Sequence, residues 1–189
     1  MKHLGTKTLE TPRLILRRLT VEDAQAAYDN WMSDPEVTKY LTWPTYVNVE
    51  DSRKILTEWG ESYAQDNFYQ WGIVPKDLGQ PIGSISAVNL KDAAEKVEIG
   101  YCIGSRWWHQ GIMSEALAAV MDFFFDEVGA GRVEARHDPR NPHSGNVMKK
   151  CGMIYEGTLR QADRNNQGIC DMVVYALLAS EREKTAEKP

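Results

Sequence analysis

Apolar and polar positions along the chain change period several times, and each change predicts an element. The stretch LILRRLT after Arg13 alternates and predicts a strand. Thr20 then stands as an N-cap before VEDAQAAYDNWM, with Glu22 and Asp23 in the first turn where a helix dipole favours acids. Asp34-Pro35 stops that helix. A second helix is predicted over VEDSRKILTEWGESYAQ, with Ile55, Leu56, Trp59 and Tyr63 on one side. FYQWGIVPK, IGSISAVNL and EKVEIGYCIG follow as three strands joined by LGQP and KDAAE, an antiparallel meander. A third helix begins near Ile112. VEARHD is a strand, PHSGNVMKKCG a short helix ended by Gly152, and MIYEGTLR and CDMVVYALL are the closing strands. About seven strands and about four helices in this order predict an α+β fold with a mixed, mostly antiparallel sheet. No internal repeat or domain boundary interrupts the chain, which reads as a single domain over 1–189 with a solvated tail at 181–189.

Composition narrows the classes. A chain of 189 residues with 42% hydrophobic and 10% aromatic positions is long enough to bury a core. A net charge of -5 argues against a general nucleic-acid binder, so no DNA partner is expected. The first residues, MKHLGTKTLE, lack the apolar core of a secretory signal, and the longest apolar run, Ala116 to Met121, is too short to span a bilayer, so a soluble, cytoplasmic protein is expected. Cys102, Cys151 and Cys170 form no CxxC pair and fit reduced thiols; the four histidines lack zinc-type spacing, so no metal is expected.

The segment GYCIGSRWWHQGIMSEALAAVMDFFF, residues 100–125, carries the candidate chemistry. A Gly-punctuated strand passes through Trp107 and Trp108 into a turn and then directly into a helix. A helix start leaves about four N–H groups without partners and carries partial positive charge. A turn that exposes consecutive N–H groups before it makes an anion nest, and at Gly111 a Cβ would obstruct close approach of an anion. The alternative is a glycine that only solves a backbone problem, with the tryptophans packed beneath. No GxGxxG or GxxxxGK[ST] supports a dinucleotide or triphosphate site.

Five segments in register, ETPRLILRRLTVEDA, DPEV, WWHQGIMSEAL, NPHSGNVMKKCGMIYEG and DMVVYALL, resemble the GNAT acetyltransferases, and within them the RimJ/RimL-like branch of ribosomal-protein N-terminal acetyltransferases. The resemblance implies the GNAT fold and acetyl-CoA as cosubstrate. It places the pyrophosphate on Trp108, His109, Gln110, Gly111, Ile112 and Met113, the thioester in a gap between EIGYCIG and VEARHD beside Cys102 and Ile103, and the pantetheine arm on Asn141. By the same resemblance the N–H near Ile103 polarises the acetyl carbonyl, Ser144 lies at the coenzyme sulfur and Asp163 is the general base. Trp108 and Met113 depart from the Arg or Gln and the small residue that many members carry, and Asp163 from the Glu of closer relatives.

An amine must arrive neutral, attack the carbonyl and expel a thiolate, and positioning can supply about 7 to 11 kcal/mol of that barrier. For Asp163 to act as base at neutral pH its pKa must be raised by burial or by a carboxylate such as Glu156; Glu98 is a reserve base. Simpler roles are pairing of Asp163 with Arg160 or Arg164, a contribution of Ser144 to the helix start, and a turn role for Asn141. Cys102 has no His and Asn to activate it and suits a small core position. The loop from Tyr40 to Tyr46 and the turn from Gln161 to Gly168 should border the acceptor, a polar and aromatic set suited to a protein or peptide N-terminus. A polyamine or aminoglycoside acceptor, and a coenzyme-binding sensor without turnover, are the alternatives. A monomer or a homodimer is compatible with the closing strands.

Overall fold

A computed structural model describes residues 1–182. Eight strands form one sheet in the order β1-β2-β3-β4-β5-β6-β8-β7. They are β1 (Leu9–Glu10), β2 (Leu14–Arg17), β3 (Gln70–Pro75), β4 (Gly83–Lys91), β5 (Lys96–Ile103), β6 (Arg132–His137), β7 (Ile154–Asn165) and β8 (Gly168–Leu178). Neighbours are antiparallel except β5 and β6, which run parallel because α4 (Ile112–Phe123) crosses between them. The remaining helices are α1 (Ala24–Ala27), α2 (Pro35–Thr38), α3 (Val49–Ser62) and α5 (Pro142–Lys150). The strand and the helix beyond the expected set are both short: β1 has two residues and α2 four, below the length at which periodicity is legible. Asp34 does end the first helical segment, but its side chain then accepts from Glu36 N–H and starts α2, with Pro35 at the first position.

Two apolar layers sandwich the sheet. One packs Val97, Ile99 and Ile103 of β5 with Trp71 and Ile73 of β3 against Leu117, Val120 and Phe124 on and beyond α4. The other packs Leu19, Ala27 and Trp31 against Leu56 of α3. Alternation along β5 thus sends Tyr101 to the α4 side and Cys102 to the α3 side.

The closing hairpin departs from expectation. Residues 161–168 do not form a turn; β7 continues to Asn165 and the reversal is confined to Asn165–Gly168. Alternation fails there because the ladder slips between Leu159 and Asp163, with Gln161 at φ 49° and its N–H held by Asp171 at 2.8 Å. At the other end, Arg182 closes on Asp126 and Asp122 of the α4 segment, so the expected solvated tail does not begin at Glu181. Residues 183–189 lie outside the described residues.

Candidate active site

The sheet opens where the parallel ladder stops. β5 and β6 pair from Lys96/Arg132 to Ile99/Ala135 and no further, while β6 stays paired with β8 to His137. A bulge at Val88 of β4 faces the point of parting and adds local twist. Gly100–Ile103 therefore diverge from β6, and a cleft of about 660 Å3 fills the gap. Its walls are Tyr101 to Ile103, the turn before α4, the start of α5 and, at one end, Glu36 to Leu41.

The turn has the backbone form of an anion nest. His109 at φ 62° and Gly111 at φ 73° are left-handed, which turns successive amides to one side just ahead of α4. Gly111 O accepts the first helical bond from Glu115 N–H. A Cβ at Gly111 would meet Lys150 Nζ at 3.4 Å and Arg13 Nη2 at 3.6 Å, so two cations converge over bare backbone. Arg13 also fixes the turn: its Nη1 donates to Gln110 O at 3.0 Å and its Nε to Glu115 at 2.6 Å, and Thr11 donates to the same carboxylate. These cations answer the charge that the turn itself invites. Trp108 swings its Nε1 back to Ile103 O at 2.9 Å, locking the strand end to the turn. Gly104, between them, leaves no room for a side chain: a Cβ would lie 2.1 Å from Asn30 O.

Ile103 presents its amide to the cleft. Gly104 N–H donates to Ile82 O on the β4 side, and alternation along the strand puts the N–H of Ile103 on the opposite, open edge. Across the cleft, Ser144 Oγ donates to Tyr101 Oη at 3.1 Å and Tyr101 Oη donates to Ser144 O at 2.9 Å. Burial pushes the Tyr101 phenol above its usual pKa and keeps it protonated. Ser144 therefore faces the cleft pair and does not cap α5. Asn141 precedes α5 without capping it, and its side-chain amide has no partner among the described residues, so it is available in the cleft. Cys102 lines the cleft while packing into the α3 layer, and burial pushes its thiol upward, in keeping with a small core residue.

The remaining candidates lie elsewhere. Gln110 is not on the cleft wall; its amide turns back to Arg106 O at 3.0 Å. Asp163 is exposed on β7, outside the cleft, where it accepts Arg164 N–H at 2.7 Å. Neither condition for a base at that position is met, since Glu156 is held by Arg132 at 2.7 Å. Glu98 points into a charged cluster with Arg136 on the sheet. Trp108, His109, Gly111, Ile112, Met113, Ile103, Asn141 and Ser144 do come together around one cleft. Tyr101, His143, Lys150 and Arg13 join them unforeseen; for Tyr101 the signal was alternation with Ile99 and Ile103, whereas Arg13 lies 97 residues from Gln110.

The end of the cleft lined by Glu36 to Leu41 is tied together by the β7–β8 reversal. Asn166 donates from its side chain to Thr38 O and Trp43 O, both at 2.8 Å, and from its backbone to Leu41 O. Asn165 donates to Asp138, which also takes Arg140 at 2.6 Å. Arg140, helped by Asn165 and against the effect of burial, holds the Asp138 carboxyl down to about 2. A depressed folded pKa stabilises above the unfolded value near 4 and loses that contribution as pH falls from about 4 towards 2. The urea midpoint of the wild type should therefore exceed that of Asp138→Asn at pH 5.5, and the gap should narrow by pH 3; a constant gap would show that the pair does not couple to folding.

Comparison with known proteins agrees with this geometry. The family model for the acetyltransferase (GNAT) domain matches residues 13–154. The chain is 32% identical over 170 residues to the uncharacterised N-acetyltransferase YoaA of Bacillus subtilis (strain 168), covering 90% of this chain and 96% of that protein. It is 28% identical over 136 residues to the ribosomal-protein-serine acetyltransferase of Escherichia coli (strain K12), covering 72% and 75%. The crystal structure of a GNAT-family acetyltransferase from Bacillus anthracis superposes with a TM-score of 0.81 over 93% of this chain and all of that one, at 24% identity, and shares the fold. With the family model spanning more than half of its length, over the parted strands and the turn alike, the chain belongs to the GNAT family of acetyltransferases.

Proposed function

We propose that the protein transfers an acetyl group from acetyl-CoA to the α-amino group of a protein or peptide. The observation that carries this is the parting of β5 from β6 beside an anion-binding turn, which sets one outward amide and one row of turn amides on a single cleft. The residues fit the coenzyme: Gly111 leaves open the space on which Lys150 and Arg13 converge, and the Asn141 amide is unengaged for a pantetheine arm. Ile103 N–H donates a hydrogen bond to the developing oxyanion as the neutral amine bonds to the carbonyl carbon. As the C–S bond breaks, Ser144 Oγ–H turns from Tyr101 Oη to hydrogen-bond the sulfur, and the thiolate that leaves takes its proton from water. The amine proton leaves to water, since neither Asp163 nor Glu98 faces the cleft. A protein acceptor is supported by two relatives of Escherichia coli, the ribosomal-protein-serine acetyltransferase and the [ribosomal protein uS5]-alanine N-acetyltransferase. The open end between Glu36 and Leu41 suits an extended chain entering by its N-terminus.

Free-thiol release from acetyl-CoA, measured with a pool of peptides bearing free α-amines and a pool of polyamines and aminoglycosides, tests the proposal. Release with peptides alone is expected; release with small amines alone would overturn the acceptor, and silence in both would favour a sensor. Within the same assay, Ser144→Ala should lower turnover about tenfold or more with little change in coenzyme affinity, whereas Asp163→Ala should stay within about threefold of wild type. The reverse order would return the proton transfer to the β7 carboxylate.

A further inference from the structure

Two imidazoles close on each other across the phosphate end of the cleft. His109 belongs to the turn before α4 and His143 to the first turn of α5, on opposite walls, and their rings meet edge to face with centroids 4.9 Å apart. Both side chains are exposed, and neither has a hydrogen-bond partner among the described residues. His109 holds a left-handed backbone, φ 62°, which costs a non-glycine residue about 1 kcal/mol or more. The ring thus sits at a position whose backbone favours glycine, aimed at a second ring that no other group orients.

We infer that His109 and His143 form a proton-dependent clamp on the diphosphate of the coenzyme, which makes coenzyme affinity rise as pH falls through the imidazole range. The inference rests on the coenzyme proposal above. Imidazole is the side-chain type whose charge changes between pH 5 and 8. Two imidazolium groups at this spacing repel each other until an anion lies beside them, so anion binding and proton uptake are linked. The other charged groups on the cleft are Glu36, Lys39, Arg140 and Lys150, with Arg13 and Glu115 behind the turn. Carboxylate, ammonium and guanidinium types keep their charge from pH 5.5 to 7.5 and set a constant background. Lys150 and Arg13 attract the diphosphate at every pH; the histidines add a part that can be switched.

Calorimetry with dephospho-CoA tests this without turnover. That ligand keeps the diphosphate but lacks the terminal phosphate monoester, whose own ionisation near pH 6 would confuse the profile. Its affinity should be about tenfold higher at pH 5.5 than at pH 7.5, with protons taken up on binding at pH 6.5 as read from buffers of different ionisation enthalpy. Pantetheine, which lacks phosphate, should show no such dependence. His109→Gly, which relieves the left-handed backbone, and His143→Gln should each flatten the profile, and the double variant should abolish it. Measurable binding of dephospho-CoA with the same affinity at both pH values would overturn the clamp while leaving the coenzyme proposal standing. No binding of dephospho-CoA or of CoA at any pH would overturn both.

Discussion

Glu134→Ala is expected to lose about 3 to 5 kcal/mol of stability, with a fall in Tm of roughly 10 °C. Glu134 lies on β6, 3% exposed, on the face of the sheet away from α4. Its carboxylate takes Lys96 Nζ at 2.6 Å, Arg132 Nε at 3.1 Å and Arg136 Nη2 at 3.1 Å. Burial alone would raise its pKa, but the three cations outweigh burial and hold it below the usual range. The parallel register sets like charges opposite each other, Lys96 beside Arg132 and Glu98 beside Glu134. Bonds along β6 from Arg132 and Arg136 and diagonal ones to Lys96 and Glu98 on β5 reconcile them, with Glu156 completing the set on Arg132. Removing Glu134 leaves three neighbouring cations short of their shared anion. Glu134→Gln, which keeps an acceptor and the volume, should cost about half as much. Urea unfolding measures both; a loss below about 1 kcal/mol for the alanine variant would mean that water replaces the carboxylate readily.

Gly111→Val should weaken coenzyme binding by at least about a hundredfold, the equivalent of about 3 kcal/mol. Two causes add. The left-handed φ of 73° disfavours any β-branched residue, so the turn must distort to receive one. The new side chain also enters the space between Lys150 Nζ and Arg13 Nη2, where a diphosphate would meet the turn amides. Hydrogen bonds from backbone N–H groups to a charged ligand contribute about 1.5 to 3 kcal/mol each, so losing one or two accounts for the expected drop. Calorimetric titration with CoA, alongside the Tm without ligand, separates the causes. A fall in Tm with unchanged affinity would show that the glycine serves the backbone alone, the simpler alternative that the sequence left open.

Most elements were legible because their causes are local. Alternation in LILRRLT, the cap at Thr20, the meander joined by LGQP and KDAAE, and Gly111 ahead of an apolar helix each act within a few residues. The turn was legible in the same way, while Ile103, Asn141 and Ser144 were singled out by the family resemblance, and all of them line one cleft. Asp163 shows the limit. Its candidacy required burial, and burial depends on how β7 lies against β8; the slipped ladder at Leu159 to Asp163 carries it along an exposed strand instead. Gln110 shows a second limit, since a residue inside a motif can still turn its side chain away.

The residues near in sequence thus specified the strands, the long helices and the turn before α4, because propensity, capping and turn chemistry are short-range, whereas the family came from the resemblance of five segments spread along the chain. Folding alone settled the rest. It parted β5 from β6 past Ile99, put the phenol of Tyr101 against Ser144, brought Arg13 to the turn from the far edge of the sheet, and set His109 against His143. Those contacts join residues 34 to 97 positions apart, and their free energy exists only once the sheet has closed the intervening loops.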